Sequence, residues 1–229
     1  MTTSHLVSAT ELERSSVVAN NAMNRERGLA GVNSYARELG FDPLAYLAER
    51  AAAPSWLDLC CGEGRALHQA ASTLPADAVL TGVDLVGPLA PVPTPPTLEL
   101  VIASVSHWAP KRTYDLITCV HGLHYVGDQL GLLAGAASWL APDGLLLAHF
   151  DPDSIRWADG SPAGRAAVTA LRTAGFRYSA RHHRLTLQGA RSTRLPFRYL
   201  GANPAAGPNY TGQPAVASHY DPDEVTASE

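Results

Sequence analysis

The chain of 229 residues is poor in cysteine and lysine and has no long uninterrupted apolar run. Its three cysteines follow no regular spacing, which predicts a reducing compartment and excludes a disulfide framework. Lysine occurs once, as Lys111, so almost all of the positive charge is carried by arginine. The formal net charge of −4 argues against broad binding of nucleic acid.

The lack of long apolar runs also bears on location. Met1–Ser16 has no continuous apolar segment, so no secretion signal is predicted there. The most apolar region, Leu130–Phe150, is interrupted by the turn-like sequence Ala141–Gly144, and it predicts helix, turn and strand rather than a membrane span. We expect a soluble, cytoplasmic protein that has neither a membrane nor a nucleic acid as its partner.

The most informative pattern is an apolar run followed by a glycine-containing turn and a helix. The run Ser55–Cys60 predicts a strand, and Arg65–Ala71 predicts the helix. Gly62 and Gly64 allow positive φ and a close approach of a ligand to the backbone. The amide groups at the start of the helix carry a partial positive charge. Asp58 places a carboxylate at the end of the strand.

Two classes of cofactor are bound by such a turn. The dinucleotide fingerprint requires a third glycine, but Leu67 stands in that position, and Asp58 has no role in this alternative. The second class is S-adenosylmethionine (SAM). The stretch from Asp58 to Gly64 resembles the first motif of the class I SAM-dependent methyltransferases, with Cys60 in place of the first glycine. The second interpretation fits the residues better.

A second acidic residue follows at the spacing that a nucleoside site requires. Ala78–Leu85 predicts a buried strand, and Asp84 near its end provides a carboxylate for the two ribose hydroxyls. Both NAD and SAM sites contain this feature, so it does not choose between them. Gly87–Thr97 carries five prolines and cannot form a regular helix. The next strand, Leu98–Ala103, is followed by Ser104, where the methyltransferase family usually has Asp or Asn.

Two later segments also resemble this family. Tyr114–Val120 is similar to its fourth-strand signature, and Leu140–Leu147 is similar to the turn that enters its fifth strand. The motifs occur in the family's order, so the chain resembles a compact class I SAM-dependent methyltransferase of the type that modifies small molecules and natural products. The resemblance implies an α/β fold, a Rossmann-like sandwich with a mostly parallel seven-stranded sheet and an antiparallel last strand.

The same resemblance divides the chain into three parts. Residues 1–52 are expected to form an N-terminal helical cap, residues 53–200 the SAM-binding core, and residues 201–229 an irregular tail. In the family the last two strands form a hairpin. Phe176–Leu187 and Ser192–Leu200 have the composition of strands and are expected to be this pair.

The family's cofactor contacts carry over onto matching positions. Asp58 would contact the methionine amino group, and Asp84 would hold the ribose hydroxyls. Leu85 would pack on the adenine, with Ser104 and Val105 at its border. The full set implied by the resemblance is Asp58, Cys60, Gly62, Gly64, Asp84, Leu85, Ser104, Val105, Cys119 and Val120.

Methyl transfer from SAM requires alignment of an acceptor and, for a hydroxyl acceptor, a general base. His121, His124, His149 and Asp151 lie near the ends of the fourth and fifth strands, where ligands bind in such sheets. We expect His121 to be the base; the other three also have structural interpretations, and for His124 the structural one is the commoner in the family. Tyr35 in the cap is a candidate to bind the acceptor.

Metal binding is the alternative that the cysteines raise. Cys60, Cys61 and Cys119 could cluster with His121 and bind zinc, because the first and fourth strands are neighbours in this fold. The competing interpretation is that small residues are needed at tight strand ends. We expect no metal site. The arginines between 156 and 198 are interpreted as solvated surface or, alternatively, as a site for an anionic acceptor.

These observations together predict a SAM-dependent methyltransferase that modifies an oxygen or nitrogen of a small organic acceptor in specialised metabolism. Its product would be S-adenosylhomocysteine (SAH), and it would be a monomer or homodimer. Two alternatives stay open: a protein of the same fold that binds SAM without using its methyl group, either cyclase-like or regulatory, and an NAD-dependent oxidoreductase.

Overall fold

A computed structural model describes residues 6–19, 26–50, 53–87 and 93–223. Seven α-helices lie in these ranges: α1 Ala9–Glu13, α2 Ser16–Ala19, α3 Tyr35–Leu39, α4 Pro43–Ala48, α5 Arg65–Ala71, α6 Gln129–Ser138 and α7 Gly164–Thr173. Short 3₁₀ helices span Gly122–Tyr125 and Pro152–Ser154. No helix in the described ranges is both long enough and apolar enough to cross a membrane.

Ten strands lie in the same ranges: β1 Ser55–Leu59, β2 Val79–Asp84, β3 Leu98–Ile102, β4 Tyr114–Cys119, β5 Leu140–His149, β6 Ile155–Trp157, β7 Arg177–Ser179, β8 Arg184–Gln188, β9 Phe197–Asn203 and β10 Ala217–Pro222. Seven form the main sheet, in the order β3-β2-β1-β4-β5-β8-β7. The first five are parallel, and β8 is antiparallel to both of its neighbours. The predicted α/β fold, with a mostly parallel sheet and an antiparallel last strand, is confirmed.

The inner strand β1, which lies between β2 and β4, is buried along its whole length. A strand covered on both faces by helices needs a nearly continuous apolar sequence, and successive side chains point to opposite faces. Leu57 and Leu59 join the core cluster that contains Leu133 of α6. Trp56 packs in the opposite cluster with Leu67 of α5. Two polar residues of this strand, Ser55 and Asp58, are also buried, and Asp58 is the charged type.

The predicted hairpin is wrong in its pairing. Phe176–Leu187 contains both strands of the real hairpin, β7 and β8, and reverses at residues 180–183, where His183 adopts a left-handed φ of 45°. Ser192–Leu200 instead enters β9, which leaves the main sheet. There the ring of Phe197 stacks on Trp157 at 5.4 Å. This contact with β6 gives β9 an apolar partner outside the main sheet.

Residues 201–229, expected to form an irregular tail, contain the strand β10 and the end of β9. Strand β10 pairs parallel with β6 and antiparallel with β9 in a separate three-stranded sheet. Residues 218–220 are buried, and the Tyr220 hydroxyl accepts a hydrogen bond from the backbone amide of Leu130 at 3.1 Å. Hydrogen bonds from distant strands therefore order a segment whose glycines and prolines predict a loop. Residues 224–229 lie outside the described part of the chain.

The cap region, in its described parts, contains α1 to α4 as short separate helices. Val7 forms a bridge with Ala202 of β9, so the first residues of this region are attached to the second sheet. Residues 1–5, 20–25 and 51–52 of the expected cap lie outside the described ranges, as do residues 88–92 of the proline-rich segment. Residues 93–97 of that segment contain no helix, as its prolines predict.

Replacement of Tyr220 by phenylalanine tests whether the tail is an integral part of the fold. The hydroxyl donates to Asp128 at 3.0 Å and accepts from Leu130 at the start of α6, so its loss leaves buried groups unpaired. We expect Tyr220→Phe to lower the free energy of unfolding by about 1–3 kcal/mol in urea titrations. Tyr178→Phe is the control, because the Tyr178 hydroxyl has no hydrogen bond within the described residues. Equal effects of the two variants would contradict this role.

Candidate active site

The turn after β1 is built from three residues in the left-handed conformation. Cys60, Gly62 and Gly64 have φ values of 57°, 62° and 68°. Cys60 therefore occupies, at some cost in backbone strain, a conformation that favours glycine. A Cβ atom at Gly64 would lie 2.7 Å from a methyl group of Leu100, so this position also excludes a side chain. The turn thus keeps the backbone close to the end of the sheet.

The carboxylate of Asp84, at the end of β2, joins two loops beside this turn. Its Oδ2 accepts a hydrogen bond from the amide of Gly62 at 2.9 Å, and its Oδ1 accepts from the amide of Val86 at 3.0 Å. A carboxylate has about four acceptor positions. Asp84 can therefore hold the turn in place and still accept hydrogen bonds from hydroxyl groups of a ligand.

A first cavity, here called the cofactor cavity, lies against this turn. Seven of the ten predicted cofactor residues line it: Cys60, Gly62, Asp84, Leu85, Ser104, Val105 and Val120. Its volume is about 100 Å³, below the roughly 300–1,000 Å³ typical of small-molecule sites. Helices α1 and α2 narrow it, and Glu13 accepts a hydrogen bond from the Ser104 hydroxyl. The α1–α2 segment therefore forms one wall of the cofactor cavity.

Three of the predicted cofactor residues do not line this cavity: Asp58, Gly64 and Cys119. Asp58 is buried, and it accepts hydrogen bonds from the hydroxyls of Tyr35 at 2.5 Å and Thr118 at 2.6 Å. Burial raises the pKa of Asp58 to about 7. The carboxylate therefore connects elements of the fold, and its predicted contact with the methionine amino group stays a prediction.

Tyr35 also lines neither of the two cavities, and its predicted contact with the acceptor stays a prediction. Its ring packs edge-on against Trp56 at 5.7 Å, and its hydroxyl is held by Asp58. Burial raises the pKa of this hydroxyl well above its usual value. Tyr35 is the first residue of α3, and the side chains that reach a cavity belong to its neighbours Arg37 and Glu38.

A second cavity, here called the polar cavity, has a volume of about 490 Å³. It is lined mostly by charged and ring-bearing polar side chains: Arg27, Arg37, Glu38, His121, His149, Arg181, His182, His183, Tyr210, Thr211 and Gln213. His121 is the one residue shared with the cofactor cavity among these lining residues. The predicted base therefore lies where the two cavities meet.

His121 follows β4 in a left-handed conformation, with φ of 59°, at the start of a 3₁₀ helix. Its Nε2 lies 2.9 Å from Oε2 of Glu38, and its Nδ1 lies 3.4 Å from the Tyr210 hydroxyl. The hydrogen bond to His121 lowers the pKa of Glu38 to about 2, so Glu38 is a carboxylate at neutral pH. Because a carboxylate only accepts, Nε2 carries the proton, and in neutral His121 Nδ1 is the acceptor that faces the Tyr210 hydroxyl.

Arg27 completes this arrangement. Its guanidinium contacts the other carboxylate oxygen of Glu38, Oε1, at 2.7 Å. Both oxygens of Glu38 are therefore engaged, one by a cation and one by an imidazole. The carboxylate is fixed in position and cannot rotate away from His121 without breaking a buried ion pair.

The other two histidines are buried and differ in their access to the cavities. Burial lowers the pKa of His124 and of His149 to about 3, so both rings are neutral at neutral pH. His149 lines the polar cavity, and its ring stacks on His121 at 4.1 Å. His124 lines neither cavity and is 1% exposed. Burial of the ring favours the structural interpretation of His124, and its part in catalysis stays a prediction.

Asp151 has the structural role that was its alternative interpretation. Its Oδ1 accepts a hydrogen bond from the amide of Asp153 at 3.1 Å and so caps the short helix Pro152–Ser154. Its Oδ2 accepts from the amide of Tyr210 at 3.3 Å. Asp151 therefore attaches the loop of Tyr210 to the end of β5.

The cysteines do not form a group with metal-binding geometry within the described residues. The interaction with the Cys119 thiol, followed by burial, raises the pKa of Cys60 well above its usual value. A different group has its possible ligand atoms within 4.8 Å of one another: Glu38, His121 and His149.

Two features oppose a metal ion in this second group. Arg27 already neutralises Glu38. The rings of His121 and His149 are parallel to within 7°, so their in-plane lone pairs do not converge on one point. The arrangement favours a proton, rather than a metal ion, between His121 and Glu38.

The sequence interpretation missed Glu38 and Tyr210. Glu38 follows the buried Tyr35 by three residues, so helical spacing places it beside the face that α3 buries. That pattern could have pointed to a side chain next to the core. Tyr210 lies in a segment rich in glycine and proline, and no local pattern indicates that it reaches His121.

Comparison with known proteins identifies the family. A family model with the description "Methyltransferase domain" matches residues 32–190, which is more than half of the chain. The chain therefore belongs to this family, and with its seven-stranded sheet it is a member of the class I methyltransferases, whose cofactor is SAM. This membership decides between the two cofactor classes that the glycine turn left open. No curated protein sequence matches the chain.

Solved structures with a similar fold include the plantazolicin methyltransferase BpumL, in complex with a triazolic desmethylPZN analog and SAH. It is 13% identical, with a TM-score of 0.41, covering 76% of this chain and 58% of its own. CalS10, an amino pentose methyltransferase from Micromonospora echinaspora, is 23% identical with a TM-score of 0.36, covering 46% of each chain. The cyclopropane synthase MmaA2 from Mycobacterium tuberculosis is 22% identical with a TM-score of 0.36, covering 46% and 39%. The chain spans less than two thirds of the length of each of these proteins.

The raised pKa of Asp58 predicts a specific dependence of stability on pH. Its pKa is about 7 in the folded protein against an ordinary value of 3.8. The contribution of protonated Asp58 to the free energy of unfolding is therefore complete below about pH 4. It is lost as the pH rises to about 7, at up to ~1.4 kcal/mol per pH unit. Asp58→Asn removes this component, so the difference in unfolding free energy between variant and wild type should shift in favour of the variant across that window.

Urea titrations at a series of pH values measure this difference. Asp77→Asn is the matched control, because Asp77 is exposed and should follow the wild type at every pH. A difference between Asp58→Asn and wild type that stays constant from pH 4 to 7 would contradict the assignment.

Proposed function

We propose that the protein transfers the methyl group of SAM to an oxygen or nitrogen of a small organic acceptor bound in the polar cavity. The observation that carries the proposal is the position of His121, which lines both cavities and directs Nδ1 towards the Tyr210 hydroxyl of the polar cavity. The volume of that cavity, about 490 Å³, lies in the range of small-molecule sites.

The residues of the cofactor cavity suit SAM. Asp84 would accept hydrogen bonds from ribose hydroxyls, and the backbone at Gly62 would allow close approach. Leu85 would contact the adenine ring, with Ser104 and Val105 at its border. When bound, the cofactor supplies a methyl group already activated by the sulfonium charge. The protein must then only align the acceptor, exclude water and remove a proton.

His121 is the group that removes the proton. Nε2 donates to Glu38, so Nδ1 can accept a proton from an acceptor hydroxyl in the polar cavity. The imidazolium that forms is stabilised by the Glu38 carboxylate at 2.9 Å. The neighbouring rings of His124 and His149 are neutral, so they add no like charge beside it. A base in this position contributes about 10²–10⁴-fold to the rate.

Replacement of His121 tests the base. For hydroxyl acceptors we expect His121→Asn to reduce kcat by about 10²–10⁴-fold, measured as SAH release, with the affinity for SAM changed only a few-fold. Glu38→Gln should reduce kcat less, because the base remains but its imidazolium loses the carboxylate. His68→Asn on α5 is the control, because His68 lines neither cavity. Full activity of His121→Asn would exclude His121 as the base.

Replacement of Asp84 tests the cofactor assignment independently of the acceptor. Asp84→Asn removes one acceptor oxygen and the negative charge from the predicted ribose site. We expect calorimetry to show SAM and SAH binding weakened by about 10–100-fold. The control is Asp77→Asn, because Asp77 is exposed and lies two residues before β2. This variant should bind SAM and SAH like the wild type. Binding of NAD instead of SAM, or no effect of Asp84→Asn, would contradict the assignment.

A further inference from the structure

The charge of the polar cavity is unusual for a small-molecule site. Such sites are mostly apolar with a few polar groups, but this cavity is lined by three arginines and four histidines against one acid. That acid, Glu38, is already held by Arg27 at 2.7 Å, and the two charges cancel. The remaining charge is set by the other two arginines, Arg37 and Arg181.

Arg37 and Arg181 are exposed, and neither guanidinium has an ion-pair or hydrogen-bond partner in the described part of the chain. They come from different elements, because Arg37 belongs to α3 and Arg181 lies in the turn between β7 and β8. Two exposed arginines elsewhere on the described surface are paired, Arg194 with Asp223 at 2.7 Å and Arg198 with Asp221. What distinguishes Arg37 and Arg181 is that both line the polar cavity. The polar cavity therefore holds two uncompensated cations.

One wall of the same cavity is flat. The ring of His183 stacks on Tyr210 with centroids 3.8 Å apart and planes within 9°. His183 holds a left-handed φ of 45° in this position. Backbone strain of this kind is retained where the surrounding structure requires a particular side-chain direction. The strained turn places the ring of His183 against the ring of Tyr210. Arg181 belongs to the same turn, two positions before His183 in the sequence.

We propose that the acceptor carries an oxyanion group, a carboxylate or a phosphate ester, which Arg37 and Arg181 bind in the polar cavity while its methylated atom lies towards His121. Guanidinium groups bind both oxyanions through paired, charge-assisted hydrogen bonds. This inference rests on the proposed function, because it assigns the polar cavity to the acceptor. Of the nine arginines between 156 and 198, it assigns only Arg181 to the acceptor.

Calorimetry on the full chain saturated with SAH tests the inference without any reaction. The probes are para-hydroxybenzoate, para-hydroxyphenyl phosphate and the neutral methyl ester of para-hydroxybenzoate. We expect at least one anion to bind at least ~10-fold more tightly than the ester, as expected for a charged hydrogen bond. The double variant Arg37→Gln/Arg181→Gln should lose this preference and keep its affinity for SAH.

The control is the double variant Arg165→Gln/Arg177→Gln, which removes the same charge from arginines outside the cavity and should retain the preference. If only para-hydroxybenzoate binds tightly, the acceptor carries a carboxylate. If only para-hydroxyphenyl phosphate binds tightly, the acceptor carries a phosphate ester. Equal binding of anions and ester, or a preference unchanged in Arg37→Gln/Arg181→Gln, overturns the inference. Arginine-dependent anion binding without SAH release from SAM in the presence of either anion supports this inference and counts against the proposed function.

Discussion

The hydrogen bond between Tyr35 and the buried carboxylate of Asp58 determines the geometry of the polar cavity. Asp58 lies on the inner strand β1 and also accepts from Thr118 of the neighbouring strand β4, so it is fixed on the sheet. Tyr35 begins the helix that carries Arg37 and Glu38. The bond therefore attaches that helix to the sheet and places Glu38 beside His121. Together with the ion pair between Arg27 and Glu38, it holds Glu38 beside the proposed base.

The rings and charges around His121 then follow from burial. His124 and His149 are too deeply buried to carry charge at neutral pH, whereas Glu38 keeps its charge because it has two partners. Arg27 balances the charge of the Glu38 carboxylate, which lies 2.9 Å from Nε2 of His121. His121 differs from His124 in that it lines both cavities and has the Glu38 carboxylate as its partner.

The individual strands of the sheet could be predicted from local patterns, because each buried strand is a short apolar run followed by a turn. Their arrangement in one sheet was implied by the resemblance to the methyltransferase family, which the motif around Asp58 and Gly64 and the acid at Asp84 carry. Seven of the cofactor residues that this resemblance implies line one cavity. Even the departure at Cys60 is accommodated, since the cysteine takes the left-handed conformation of the glycine that it replaces.

What could not be predicted depends on contacts between residues far apart in sequence. Glu38 meets His121 across 83 positions, and Tyr210 meets it across 89. The final strand acquires its structure from partners at 155–157 and 197–203, so its own composition carried no signal. The hydrogen bond from Tyr35 to Asp58 joins residues 23 positions apart, and no local pattern in the sequence indicates it.

The central claim is that the methyl donor and the acceptor meet at His121. The most direct measurement is a crystal structure of the protein with SAH, in which the position of the sulfur atom is compared with the two cavities. The account predicts the ribose on Asp84 and the sulfur directed towards the ring of His121, with the polar cavity open on the opposite side. A complex in which the sulfur points away from His121, or in which the adenosyl group occupies the polar cavity, would contradict it.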